Sequence, residues 1–363
     1  MGDKTGIEWT EATWNPVVGC SLQSPGCTNC YAMGEAARLE RMGVAKYAGL
    51  TKPSKAGAVW TGEVRLHEEA LDQPIRWKRP RRIFVNSMSD LFHEAIPDHA
   101  IDRVFAVMAM ARQHTFQVLT KRADRMKRYM HGLINEPCRV GELVDDMGGN
   151  WDSVPTPLPN VWLGVSVEDQ RRADERVPDL LATPAAVRFV SMEPLLEAVD
   201  VRWALSPNRM DIAAGFLRRG HFAPGLETLR PLDWVIVGGE SGPKARPMHP
   251  DWARSLRDQC SAAGVPFLFK QHGEFREFDT GSPAVEVIET DDEFSTTIHP
   301  ADLGAVKPVF VALDGRSFTR FNDVPEGLPV RLMERVGKRA AGRQLDGVIH
   351  DGVPQPRDTA KAA

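Results

Sequence analysis

The chain has 363 residues, 42% of them hydrophobic and 26% charged, with a formal net charge of −4. That is enough apolar material for a sizeable core, as one large α/β domain or one domain with an appendage. The charge gives no global positive field to draw nucleic acid, and the longest apolar runs, such as residues 104–111, are far too short to cross a bilayer.

In chain order, a β-like run at 13–18 leads into a loop holding Cys20, Cys27 and Cys30, three of the five cysteines. Gly19, Pro25 and Gly26 allow sharp turns that could bring the three sulfurs to one point, and three close cysteines rarely arise as ordinary core residues. The pattern predicts a metal or cluster loop one ligand short of a closed site. Cys138, Cys260, His67 and His93 are the outlying candidates for a fourth zinc ligand. An odd cysteine count with no apolar leader at the start predicts a reducing compartment, the cytoplasm.

Helix-forming composition at 31–42 ends at Gly43. Short apolar runs follow at 64–66, 82–85, 116–119, 161–165, 187–190, 234–237 and 266–269. They alternate with helical patterns at 98–112, 170–181 and 251–263. Strand and helix alternating this often predict an α/β fold with a parallel sheet, a full or partial TIM-like (β/α) barrel with loop insertions and a C-terminal extension.

Polar residues follow nearly every apolar run. They are Asn86, Ser87 and Asp90; Thr120, Lys121 and Arg122; Ser166, Glu168 and Asp169; Ser191 and Glu193; Gly238, Gly239, Glu240 and Ser241; and Lys270 and Gln271. In a parallel barrel these positions share the mouth where active sites lie. Singly, each could be a strand leaving the sheet for water; their repetition is the signal. Gly238 and Gly239 would let backbone approach a ligand, and Lys121 with Arg122 leans towards anion binding.

Residues 1–275 are expected to form the barrel, with insertions at 135–159 and 202–230. Residues 276–350 are expected to form an accessory insertion and a C-terminal helical region, and 351–363 a frayed polar tail. Basic residues cluster as Arg76, Lys78, Arg79, Arg81 and Arg82 around Trp77, and as Arg331, Arg335, Lys338, Arg339 and Arg343. Both stretches are candidate nucleic-acid contacts, a tryptophan amid cations offering a stacking surface.

The runs Asn15-Pro-Val-Val-Gly-Cys20 and Cys27-Thr-Asn-Cys-Tyr-Ala32 resemble the cluster loop of radical S-adenosylmethionine (SAM) enzymes, particularly the branch with spore photoproduct lyase. Six residues separate the first two cysteines, where the usual radical SAM pattern has three. Nearly the whole chain resembles a phage-type three-Cys-motif family without established function. The resemblance runs through Ser87-Met-Ser-Asp-Leu-Phe-His-Glu94, Leu119-Thr-Lys-Arg122, Trp162-Leu-Gly-Val-Ser-Val-Glu168, Glu193-Pro-Leu-Leu196, Gly238-Gly-Glu-Ser-Gly242 and Phe269-Lys-Gln271.

The resemblance implies a cytoplasmic radical SAM-like enzyme in which Cys20, Cys27 and Cys30 hold a [4Fe-4S] cluster that cleaves SAM reductively. It implies a flavodoxin- or ferredoxin-like electron donor and an unidentified substrate, nucleic acid included. Asn86, Ser87, Asp90, Ser166, Glu168 and Glu193 would bind the cofactor. Lys121, Arg122, Gly238, Gly239, Glu240 and Lys270 would bind substrate. No catalytic acid or base is assigned. Two alternatives stand beside it: a zinc-binding three-Cys protein acting as binding module or hydrolase, and a non-catalytic phage or mobile-element interaction protein.

Overall fold

The structure is a computed structural model. It describes residues 5–278 apart from 56, 151 and 153, the paired strands Glu286–Thr290 and Glu293–Thr297, and residues 308–355 apart from 326. Residues 291, 292 and 356–363, part of the acidic insertion and most of the expected tail, lie outside the described residues.

Seven parallel strands build the central sheet: β1 (Ala12–Trp14), β2 (Arg82–Val85), β3 (Thr115–Thr120), β4 (Val161–Ser166), β5 (Val187–Met192), β6 (Trp234–Gly238) and β7 (Phe267–Gln271). They pair in strict chain order, so the sheet is a curled, open half-barrel. The crossovers carry α1 (Tyr31–Arg41), α2 (Asp98–Met110), α3 (Ala123–Asn135), α4 (Cys138–Asp146), α5 (Gln170–Leu181), α6 (Arg209–Arg218) and α7 (Pro250–Ala263). β4, β5 and β6 are buried along their whole length, which is why they read as mainly apolar runs, interrupted within β5 by the buried Arg188.

Alternate residues serve the two faces. Ile83, Val85, Phe116, Val118, Leu163, Val165, Val235 and Val237 pack under the helices. Phe84, Trp162, Phe189, Trp234, Ile236 and Leu268 point the other way and form a second cluster with Trp9. Gly164 belongs to this second face: a Cβ there would lie 2.5 Å from the Phe189 ring, so the glycine makes room for that ring.

The chain ends meet at this cluster. Trp9 lies 4.7 Å from Phe84 and 6.3 Å from Trp234 between ring centroids, and Trp234 Nε1 donates to Gly352 O at 2.7 Å. The free edge of β7 is covered by residues 350–352: Phe269 N donates to His350 O, and Gly352 N to Phe267 O. The part of the expected tail at 351–353 therefore packs on the sheet.

Two expectations change. The run at 64–66 is no barrel strand; Arg65–Leu66 pairs antiparallel with Val17–Val18 beside the cysteine loop. The expected C-terminal helical region is built mainly of strands, β8 (Phe275–Glu277), β9 (Val309–Ala312), β10 (Ser317–Phe318) and β11 (Val330–Arg335), in the order β8-β11-β9-β10. Among the described residues there, helix is confined to Lys338–Ala341 and the single 3-10 turn Phe321–Asp323. Val309, Phe310 and Val311 suit a pleated, half-buried surface better than a helix.

Candidate functional site

The segment between β1 and α1 lies across the carboxyl ends of the strands, held at four of them. Ser21 Oγ accepts from Arg122, just after β3, at 2.8 Å and lies 2.8 Å from His93 Nε2. Gly26 N donates to Glu168, after β4, at 3.3 Å. Asn29 Nδ2 donates to Glu240, after β6, at 3.1 Å. Tyr31 Oη donates to Ser87 O, after β2, at 2.8 Å. Gly19 has to be glycine: its φ is +90°, and a Cβ would stand 2.1 Å from the Glu63 carbonyl oxygen.

These anchors are themselves braced. Arg122, almost fully buried, pairs with Asp90 at 2.9 Å and Glu94 at 2.8 Å, and Asp90 also accepts from Thr120 Oγ1 at 2.7 Å. Glu168 pairs with Arg176 at 2.9 Å. Burial works against its charge, but Lys121 and Arg176 hold the carboxyl below its ordinary range. Glu240 accepts from the Arg246 guanidinium at 2.6 and 2.8 Å, and Arg246 reaches on to Pro25 O at 3.0 Å. Burial again opposes ionisation, and the bonds from Arg246 and Asn29 overcome it.

Beneath the loop lies a cavity of about 460 Å³. One wall is apolar, made by Ile7, Trp9, Phe84 and Leu119, which pack in one cluster, while Trp60 packs on the cysteine side. Cys20, Cys27 and Cys30 line another, and Asn86, Ser87, Asp90, Lys121, Arg122, Ser166, Glu193, Gly239, Glu240 and Lys270 complete it. The topology thus gathers almost every polar strand-end residue singled out in the sequence. Glu168 and Gly238 are not among the lining residues: Glu168 is fully buried under Gly26, and a Cβ on Gly238 would sit 3.4 Å from both Glu193 and Lys270.

Lys270 Nζ is bound by both oxygens of Glu193, at 2.7 and 2.8 Å, so these two predicted contacts neutralise each other. Lys121 differs. Its ammonium makes no hydrogen bond or ion pair within 4 Å among the described residues, although Glu168 and Cys30 lie within its field. Asn86, at a left-handed φ of 61°, accepts from Val17 N through Oδ1 and leaves Nδ2 buried with no partner among the described residues. Sequence reasoning missed Trp9 and Phe84 on the walls and Asn29 and Arg246 in the clamp, while Ser191, singled out as a strand-end residue, does line the cavity. An aromatic just before the first strand was the available signal for Trp9; the others depend on long-range contacts.

The cysteines require the largest correction. They line one cavity and sense each other's charge, yet among the described residues no group of three or more Cys, His, Asp and Glu side chains is arranged to hold a metal ion. Cys20 and Cys30 pack against the cluster of Val18, Ala32, Met33 and Trp60. Burial, with the Asp90 charge, pushes the Cys20 thiol up to about 12, and burial raises Cys30.

The residues present do not fit a [4Fe-4S] cluster, so the radical SAM reading, its SAM cofactor and its electron donor are set aside. The zinc alternative falls on the same finding. Cys138 is exposed at the start of α4, Cys260 is buried in α7, and His93 bonds the loop.

The expected nucleic-acid contacts are also corrected, because most of those cations are already paired. Arg76 pairs with Asp72, Arg82 with Glu11, and Arg81 stacks on Trp77. Arg331 pairs with Asp251 and Glu277, Arg335 with Glu274, Lys338 with Glu8 and Arg343 with Asp351.

Fold and site together define an α/β protein with an open parallel half-barrel and a loop-roofed, thiol-lined cavity at the carboxyl ends of its strands. The chain belongs to the family described as Protein of unknown function (DUF5131), whose model matches residues 4–354; this membership replaces the expected radical SAM affiliation. No curated protein and no solved structure matches it. No helix among the described residues is long and apolar enough to cross a membrane.

Proposed function

We propose that the chain is a binding protein for a small molecule that joins an anionic group, carboxylate or phosphate, to a flat apolar ring. The observation that carries this reading is Lys121, a half-buried ammonium on the cavity wall without an ion pair among the described residues. A charge kept out of full solvent normally has a counter-charge, and a bound anion would supply it. Asn86, Ser166 and Ser191 add polar groups to the lining of the same cavity. Trp9, Phe84 and Leu119 offer the ring an apolar bed.

In this reading residues 1–275 act as a partial TIM-like barrel domain, with insertions at 135–159 and 202–230, and 276–350 as an accessory region. The strict strand order supports it. Asn86, Ser166 and Lys121 contact ligand; Arg122, Glu168 and Glu240 roof the cavity by holding the loop. The free thiols at its wall suit a reducing compartment such as the cytoplasm.

The test titrates Trp fluorescence with indole-3-acetate and adenosine monophosphate against their uncharged counterparts, indole-3-acetamide and adenosine. The anions should bind tighter, and Lys121→Met should weaken them by about 10- to 100-fold, the loss of one charge-assisted bond. Equal binding of charged and neutral probes, or no effect of the substitution, would overturn the reading.

A further inference from the structure

We propose that the 202–230 insertion is a docking surface for an acidic, amphipathic helix of a partner protein. The inference is independent of the cavity's ligand. Four of the thirteen large apolar side chains exposed on the described surface fall within seventeen residues here: Met210, Leu217, Phe222 and Leu226, at 61%, 66%, 96% and 45% exposure. That is several times the density of such side chains along the rest of the described chain.

Its geometry comes from α6, which is apolar on two sides. Ile212, Gly215 and Phe216 face inward, where a Cβ on Gly215 would strike the Trp203 ring at 2.1 Å. Met210, Ala213, Ala214 and Leu217, spaced i, i+3, i+4, i+7, form a second stripe whose two large members face solvent. A helix laid along such a stripe would meet it residue by residue.

Charge selects the occupant. Residues 202–230 carry five arginines against Asp211 and Glu227, a basic island on a chain of net charge −4. Arg202 and Arg219 are paired with Asp200 and Asp174. Arg209 and Arg218, at the two ends of α6, have no ion pair within 4 Å among the described residues.

Arg218 also borders a cleft of about 580 Å³ with Trp203, Arg219, Asp200 and Asp211. Trp203 is buried, and its Nε1 has no acceptor among the described residues. A carboxylate side chain at the mouth of the cleft would meet Arg218, and a guanidinium set beside a cleft favours a discrete protein carboxylate over a diffuse anionic surface.

The experiment measures fluorescence anisotropy of a labelled amphipathic peptide of about five helical turns, leucine and alanine on one face and glutamate on the other, against the full chain. Saturable binding that weakens with salt and falls at least about tenfold with either Arg218→Glu or Leu217→Ser is expected, with unchanged thermal unfolding of the variants. Both side chains are exposed, so the fold should tolerate the changes.

Three results would overturn the proposal. One is equal affinity for a peptide with lysine in place of glutamate. Another is no peptide binding but Leu217-dependent binding to phosphatidylglycerol vesicles, a membrane face. The third is self-association of the chain that Leu217→Ser abolishes, a face taken by a second copy.

Discussion

Protonating His114 forces a donor into a place with no acceptor. The ring is buried, its Nε2 donates to Pro74 O at 3.1 Å, and Nδ1 is buried without a partner among the described residues. Burial therefore holds this histidine below its ordinary value. Between that lowered value and about 6.5, where an unfolded histidine titrates, the unfolded chain binds more protons than the folded one, so stability is full above that range and falls with acidification. His93 and His249 are shifted the same way, so removing one group should lessen the slope without abolishing it. Urea midpoints measured from about pH 8 to about pH 5 should fall less in His114→Gln than in the parent. Equal slopes would mean that His114 titrates alike folded and unfolded.

At the scale of the element, the cysteine loop depends on its anchors. Arg122→Met would leave Asp90 buried without its cation and remove one of the two bonds that hold Ser21, leaving His93 as its partner. Breaking a buried pair from one side costs about 3–5 kcal/mol, to be read from urea unfolding. Amide exchange should rise across the loop between β1 and α1 and stay unchanged in α2; uniform exchange would argue against a local staple.

The strands were legible because both faces of the sheet are buried, leaving mainly apolar runs, broken inside by few residues such as Gln117 and Arg188, after which the polar residues stand out. The same signal misplaced 64–66, since a short apolar run reads alike in a barrel strand and in a loop ladder such as Arg65–Leu66 with Val17–Val18. The cavity's inventory was largely legible, but its division of labour was not. Whether a strand-end carboxylate meets ligand or loop depends on bonds such as Gly26 to Glu168 and Asn29 to Glu240, between residues far apart in the chain. Nor does cysteine spacing say where the sulfurs point, and burial of Cys20 and Cys30 cannot be read from turn residues alone.

Across the whole molecule, stability turns on how an open half-barrel closes its exposed side. Trp9 fills the second face, while residues 350–352 cover β7 and bond Trp234. A chain ending at Arg343 would bare a flat strand edge and leave the Trp234 Nε1 group without its acceptor. It should unfold at lower temperature and associate in sedimentation velocity, whereas one ending at Gln355 should match the parent. If both stay monodisperse with equal midpoints, the terminal segment is dispensable.

That closure also sets an order of events during synthesis. Trp9 emerges from the ribosome before its neighbour Trp234, but Trp234 meets its acceptor Gly352 only after a further 118 residues have been made. Until residues 350–352 leave the exit tunnel, the seventh strand stays uncovered, and a pause in translation before that point prolongs the time in which its edge can pair with the wrong strand.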